Sequence, residues 1–531
     1  EGYASSSVSL DGAREGFVNA PAIADLDGDG TMEIVASSFA GTIYVIEPDG
    51  SSRPGFPRSL PRVPSCPAGA VEPPPGLPCM NATNHIARGA FAAPVLVDLN
   101  DDGKLDIVQA ALDGQLYAID ADGADLLGFP FAVRVVQEGQ TPVASRLVST
   151  PAVGDVDGDG IMNIALGSSM SLGNNGDFGA LFVVDGRGLA APQVPVLAGW
   201  PVTFFSPNST AFYAEGLTSS PVIGNFDSKM AIVAQGNGST PLVLPSPPGP
   251  QPTDGALPGF ALPEHETSRG LDAPDRFGAL SRVPQPGTMV ALLSSPALGD
   301  IDQDGTPDVV TAGGSTNLVQ RLRGDSLGAQ SNHLLAVWSG ATGKMLPGSP
   351  FPLEEFSTLQ DRAIADLNGD DYPEIIGGSG GPYLHAYDGC GVEPEGFPKF
   401  TGQWIAGTPA VGDLDGDGRL EVAVGTRSGT LYVWHTKGAT NGVIAWESFH
   451  HDNRNTGNLG VALSQGVLHK ASAPLTELSC RQTMTLPRFD GVGGCGCRTA
   501  GNRDETVPLG VLMAGICSGF VRRRVRRRAS R

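Results

Sequence analysis

Six times along this chain, alternating acidic or amide side chains crowd into a few residues just ahead of a short apolar run, and nothing else in the sequence limits its fold as strongly. The clearest copy is PAVGDLDGDGRLEVAVGTRSGTLYVW at residues 409–434, where Asp413, Asp415 and Asp417 alternate and Gly418 stands where the chain must turn. Side chains spaced two apart on a tight loop converge. Three carboxylates held together repel by several kcal/mol at an effective dielectric of about 20, so a cation must neutralise them. A donor set of oxygens alone selects a hard ion, and a flexible, carboxylate-rich loop favours Ca²⁺ over Mg²⁺. The EF-hand shares this opening but needs a bidentate Glu at loop position 12 and a helix on each side. Position 12 here is Val424, and LEVAVGT and GTLYVW have the period of strands. The candidate ligands are the side chains of Asp413, Asp415, Asp417 and Glu421, at positions 1, 3, 5 and 9, and the carbonyl of Arg419 at position 7.

The same spacing recurs five times. Asp25, Asp27, Asp29 and Glu33 are the first set, with Thr31 at position 7. Asp98, Asn100, Asp102 and Asp106 follow with Lys104, then Asp155, Asp157, Asp159 and Asn163 with Ile161. Asp300, Asp302, Asp304 and Asp308 come with Thr306, and Asp366, Asn368, Asp370 and Glu374 with Tyr372. Position 12 is Ala36, Gln109, Leu166, Thr311 and Gly377, so none of these is an EF-hand loop. About six Ca²⁺ ions are expected. A seventh copy, PVIGNFDSKMAIVAQG at residues 221–236, has Asn225, Asp227 and Lys229 at the first three ligand positions. An ammonium at position 5 would occupy the cation's place, so this copy is expected to bind no metal. Asn163 puts a neutral amide at position 9, which makes the loop at Asp155 the weakest of the six.

After each loop come a second apolar run, a Gly-containing turn and a third run such as GTIYVIE, GQLYAID or GALFVVD. Most copies then reach PGFP, LGFP, AGWP, PGSP or EGFP and a fourth short extended segment. Four strands per unit, seven units and roughly 45 to 75 residues between acidic loops predict an all-β fold: a seven-bladed β-propeller with calcium-binding hairpin loops, over residues 1–460. The ring is expected to close with the neighbourhood of Asp25 beside residues 429–457. Residues 461–494 read as a linker and 495–531 as a separate terminal segment.

From about residue 15 to 460 the repeat resembles the FG-GAP (VCBS-type) repeat of integrin α-subunit propellers and of many secreted bacterial proteins. The resemblance rests on D-x-D-x-D-G-x-x-[DE], the preceding P-A-V-x-D strand and the trailing G-x-L-Y-V strand. It implies a calcium-stabilised propeller with its metal loops on one rim. WESFHHDNRNTG, residues 446–457, is similar to the end of the last blade in such bacterial proteins.

The net charge is −22, and the last ten residues carry seven Arg, so the remainder stands at −22 − 7 = −29. Six bound Ca²⁺ would return about 12 positive charges. The acidity is thus largely ligand charge, which disfavours a nucleic-acid partner. The Pro-rich residues 58–90 and 237–290 interrupt the repeat, either as tolerated exposed loops or as a binding surface above one rim. Cys66 and Cys79 are near enough in sequence to bridge in an oxidising compartment.

The C-terminus runs from Cys495 and Cys497 through VPLGVLMAGICSGFV to RRRVRRRASR, an order that resembles the C-terminal sorting tail of myxobacterial surface proteins. Its apolar run of about 15 residues falls short of the roughly 20 that span a bilayer. The alternative is a basic extension. The absence of a secretory signal at Glu1 and of an initiator Met suggests a removed leader or a late start.

Arg323-Gly324-Asp325 reads as coincidental, the sequons at Asn81, Asn208 and Asn237 matter only in a eukaryotic secretory host, and His450, His451 and Asp452 read as packing or solvent-exposed residues rather than a metal site. No nucleophile elbow or zinc-type His cluster stands out. The expected function is a calcium-binding adhesion or ligand-binding module, displayed on the cell surface or secreted, for an extracellular protein or polysaccharide, with membrane contact only through the tail. A secreted polysaccharide lyase with its site in the central funnel is the alternative, and a structural surface-layer role a third.

Overall fold

A computed structural model describes residues 16–60, 89–135, 143–172, 178–189, 195–205, 216–226, 228–236, 241–248, 289–290, 294–315, 333–347, 349–355, 357, 360–405, 407–476 and 478–480. The Cys66–Cys79 pair, the Arg-Gly-Asp tripeptide, the three sequons and the terminal segment lie outside them. One compact unit extends to Thr485, and Leu486–Arg531 form a second.

Among the described residues the strands are antiparallel within seven sheets of three to five strands and one two-stranded ribbon. The first sheet shows the pattern: Ala22–Ala24, Glu33–Ser37, Thr42–Ile46 and Arg58–Ser59, paired in chain order. Alternating β-branched and small residues make both faces apolar, so a sheet is stable only between two others. Five apolar clusters join the first sheet to the second, the second to the third, the third to the fourth, the fourth through the fifth to the sixth, and the sixth to the seventh. Sequential four-stranded sheets stacked face to face around shared inner strands are the architecture of a repeat β-propeller. The PGFP-type motifs are turns with cis prolines at Phe56-Pro57, Phe129-Pro130, Trp200-Pro201, Ser349-Pro350 and Phe397-Pro398, leading into the fourth strands.

The neighbourhood of Asp25 lies beside residues 429–457 as expected, with Ile23 N donating to Asn453 O at 2.7 Å, but the two end sheets share no apolar packing among the described residues. No apolar cluster among the described residues joins the seventh sheet (Ala410–Gly412, Arg419–Gly425, Leu431–Ala439) to the first. Leu431 and Val433 are 68% and 47% exposed on one side, and Ile23 and Ile34 39% and 41% on the other. Leu96 and Ile107, which hold the places of Ile23 and Ile34 in the second sheet, are fully buried.

What bridges the ends is a segment along the axis. Ile444–Trp446 pairs with the inner strand Ala363–Ala365 of the sixth sheet. The chain then accepts hydrogen bonds from the inner strands of sheet after sheet: Val411 N to Glu447 O (2.8 Å), Ile23 N to Asn453 O (2.7 Å), Leu96 N to Arg454 O (3.0 Å), Val153 N to Thr456 O (2.9 Å) and Ile223 N to Gly457 O (2.7 Å). Trp446, His450 and His451 are fully buried there. His450 and His451 are packing residues, as expected, but for a different reason. They do not alternate across a strand; they occupy a left-handed turn with φ of 53° and 85°.

A second set of bonds runs around this axis. Ala93 N donates to Thr150 Oγ1, Thr150 N to Ser220 Oγ, Ser220 N to Ser295 Oγ, Ser295 N to Asp361 Oδ1 and Asp361 N to Thr408 Oγ1, at 2.9–3.2 Å. A side chain leading into each of the third to seventh sheets thus satisfies a backbone donor leading into the sheet before it.

Residues 461–476, expected to begin a linker, instead lie against the acidic loops. A disulfide joins Cys480 to Cys390 in the sixth sheet's turn. No spacing in the sequence marks that pair, whose members are 90 residues apart.

Candidate metal centre

All six acidic loops hang from one register. Ala24 pairs with Glu33, Val97 with Asp106, Gly154 with Asn163, Gly299 with Asp308, Ala365 with Glu374 and Gly412 with Glu421. Position 9 therefore closes every loop and is buried in all six. Its side chain accepts from the backbone N–H of position 2: Leu26 to Glu33 (2.7 Å), Leu99 to Asp106 (2.9 Å), Val156 to Asn163 (2.9 Å), Ile301 to Asp308 (2.8 Å), Leu367 to Glu374 (2.7 Å) and Leu414 to Glu421 (2.8 Å).

Position 1 gathers the loop. Asp25, Asp98, Asp155, Asp300, Asp366 and Asp413 each accept from the N–H of position 6 at 2.8–3.0 Å. That residue has positive φ, which suits Gly in five loops; Asp371 takes the place in the sixth at φ 73°. Position 5 accepts from the N–H of position 7, at 2.8–3.0 Å for Thr31, Lys104, Ile161, Thr306, Tyr372 and Arg419.

The result is convergence. One oxygen from each of Asp25, Asp27 and Asp29 lies within 4.8 Å of the others, as do those of Asp155, Asp157 and Asp159, of Asp300, Asp302 and Asp304, and of Asp413, Asp415 and Glu421. In the remaining two loops the position 3 amides donate to the position 5 carboxylates, Asn100 to Asp102 (3.1 Å) and Asn368 to Asp370 (3.0 Å). Burial, with Asp102 and Asp98 adding to it, pushes Asp106 up to about 7, and burial beside Asp304 does the same to Asp302. Burial raises Asp308 and Glu374 as well. A divalent cation would reverse that cost. Asp300 Oδ1 is buried without a hydrogen-bond partner, which fits a site built for a cation.

Four basic side chains within 4 Å of candidate ligand carboxylates, among the described residues, went unread in the sequence. Arg53 Nη2 lies 2.6 Å from Asp27 Oδ2, and that hydrogen bond holds the Asp27 carboxyl below its usual range. His469 Nδ1 is 3.0 Å from Asp300 Oδ2, His435 Nδ1 2.7 Å from Glu421 Oε1, and Arg187 Nη2 3.9 Å from Asp159 Oδ2. Each comes from a later turn, strand or segment, so no local pattern announces it.

The seventh copy needs a correction. Asp227 lies outside the described residues, but Lys229 does not sit at a loop position 5. It begins the strand Lys229–Ala234, exposed and paired with Phe226, and Gly224 pairs with Ala231. Two residues fewer than in the other copies turn the loop into a tight hairpin.

The family described as FG-GAP-like repeat matches residues 366–424, from the acidic loop at Asp366 through the one at Asp413. No curated protein matches the chain. Among solved structures, BamB from Moraxella catarrhalis is similar at 10% identity, covering 80% of this chain and 86% of its own, with a TM-score of 0.38. The Dos1 propeller gives 11%, 76%, 75% and 0.38. A quinohemoprotein alcohol dehydrogenase from Comamonas testosteroni gives 13%, 80%, 75% and 0.38. Nothing about function rests on likenesses this distant. The chain is an all-β repeat protein of the propeller kind.

Proposed function

We propose that this chain is a calcium-binding, seven-bladed propeller that presents a rigid surface to an extracellular protein or polysaccharide. The observation that carries the calcium reading is the recurrence of one loop geometry six times, with converging carboxylates and a buried, unpartnered Asp300 Oδ1. Side-chain oxygens of positions 1, 3, 5 and 9 and the carbonyl of position 7 would hold the ion. Bound Ca²⁺ would supply positive charge that fixes each loop; it has no assigned catalytic part.

A disulfide between Cys390 and Cys480 supports an oxidising compartment, and so the cell surface or the extracellular space. The alternative is a secreted polysaccharide lyase with its site in the central funnel; the bonds that residues 447–457 accept from the inner strands of five sheets weigh against it. No nucleic-acid partner is proposed, and membrane contact is assigned to residues 495–531 alone.

Calorimetric titration of metal-stripped protein with CaCl₂ tests the first half: about six sites support it, and no heat of binding rejects it. Screening the loaded protein against glycan and matrix-protein arrays tests the second, and silence on both arrays would leave a structural surface role. Deleting residues 495–531 in the native host should release the protein into the medium. Identical fractionation of truncated and full-length protein would show the tail to be a basic extension.

A further inference from the structure

Residues 465–480 cross three of the acidic loops, bonding to the backbone of Asp413 and Asp302 and to the side chains of Asp300, Gln303, Asp371 and Tyr372, with His469 Nδ1 at 3.0 Å from Asp300 Oδ2. Gln465 Oε1 accepts from Asp413 N at 3.2 Å. Farther on, Gln303 joins the segment to the loop at Asp300: its Oε1 accepts from Lys470 N (2.8 Å) and Ala471 N (3.1 Å), and its Nε2 donates to Asp300 O (2.7 Å) and Leu468 O (3.3 Å). Leu475 N donates to Asp302 O at 2.7 Å. The loop at Asp366 is held by Tyr372 Oη donating to Ala473 O (2.6 Å) and by Lys470 Nζ at 3.0 Å from Asp371 Oδ1. Beyond these contacts Cys480, fully buried, is bonded to Cys390. The first three acidic loops have no such cover among the described residues.

We propose that residues 465–480 are the positioning element of the cation loops at Asp300 and Asp366, fastened by the Cys390–Cys480 disulfide, so that cation affinity at these two loops depends on the bond. The proposal rests on the calcium reading above. The segment fixes the carbonyl of Asp302, the hydroxyl of Tyr372 and the side chain of Gln303, which in turn holds the carbonyl of Asp300, so the loops meet a cation already ordered; cutting the fastening makes binding bear the cost of ordering them. Coupling between two sites is reciprocal, so Ca²⁺ must protect the disulfide by the factor by which the disulfide favours Ca²⁺. Reduction by a dithiol moves two electrons and two protons to the protein sulfurs, giving two thiols and the oxidised cyclic dithiol.

Calorimetry with CaCl₂ on the full chain, oxidised and after dithiothreitol treatment, tests this, with circular dichroism as a check that the sheets persist. The expected result is that two of the six sites weaken by roughly tenfold on reduction while four stay unchanged. The dithiothreitol concentration for half reduction should rise by a similar factor in Ca²⁺ over chelator. Gln303→Ala, which keeps the disulfide, should weaken one site and covers the case in which reduction unfolds the protein. Equal affinities in both redox states, with the Gln303→Ala profile unchanged, overturn this proposal alone. No Ca²⁺ binding in either state overturns the calcium reading and this proposal with it.

Discussion

Single side chains decide how alike the six loops are. Asn163 accepts from Val156 N through Oδ1, so its Nδ2 takes the place of the second carboxylate oxygen that would face the cation. Asn163→Asp should tighten that loop by roughly tenfold, since ligand charge count tunes such affinities over decades; a calcium titration that leaves the weakest site unmoved would refute it. Outside the loops, His385 stands between Glu354 Oε1 at 2.6 Å from Nε2 and Glu393 Oε1 at 2.8 Å from Nδ1, stacked on Tyr387. Burial lowers its pKa, but the bonds to Glu354 and Glu393 outweigh that and raise it from 6.5 to about 9. A raised folded-state value means the contribution is complete below about pH 6.5 and is lost as pH rises through about 9. Its size is roughly 3 kcal/mol. Denaturation at pH 6, 7.5 and 9 should show that decline in the wild type and a flatter profile in His385→Gln.

At the scale of elements, the strands were the legible part. Alternation in GTIYVIE, GQLYAID and GTLYVW, with a fixed count from the last inner-strand residue to position 9, gave hairpins that hold in all six loops. The axial segment is half legible: WESFHHDNRNTG reads as the end of a blade, yet Ile23, Leu96, Val153 and Ile223, whose backbone donors it accepts, lie hundreds of residues earlier, and no local period encodes a partner that remote. Its weight is testable. Trp446 is fully buried in the largest cluster, so Trp446→Ala should cost about 3–5 kcal/mol in urea denaturation. Ser220→Ala removes the acceptor of Thr150 N and should cost about 1–3 kcal/mol, because a buried donor is left unmet. A loss below about 0.5 kcal/mol would show that water replaces the hydroxyl.

For the whole molecule, repeat counting reached the architecture and missed the manner of closure, because the apolar faces of the first and last copies look in sequence like all the others. Cysteine at Ile34 and at Leu431 should react with a maleimide as exposed thiols do, while cysteine at Ile107 should be protected; protection at all three would mean that the two faces meet in solution. Chelation should lower the melting temperature, since each site at a hundredfold excess over its Kd contributes about 2.7 kcal/mol to the folded state. An unchanged melt would count against calcium in the fold. The axial segment also sets a timetable for biosynthesis. Pro21 O accepts from Asn455 Nδ2, 434 residues later in the chain. At roughly 5–20 residues per second the first sheet leaves the ribosome about 20–90 s before its axial partner is made, so throughout that interval the nascent chain must be sheltered from pairing with other strands.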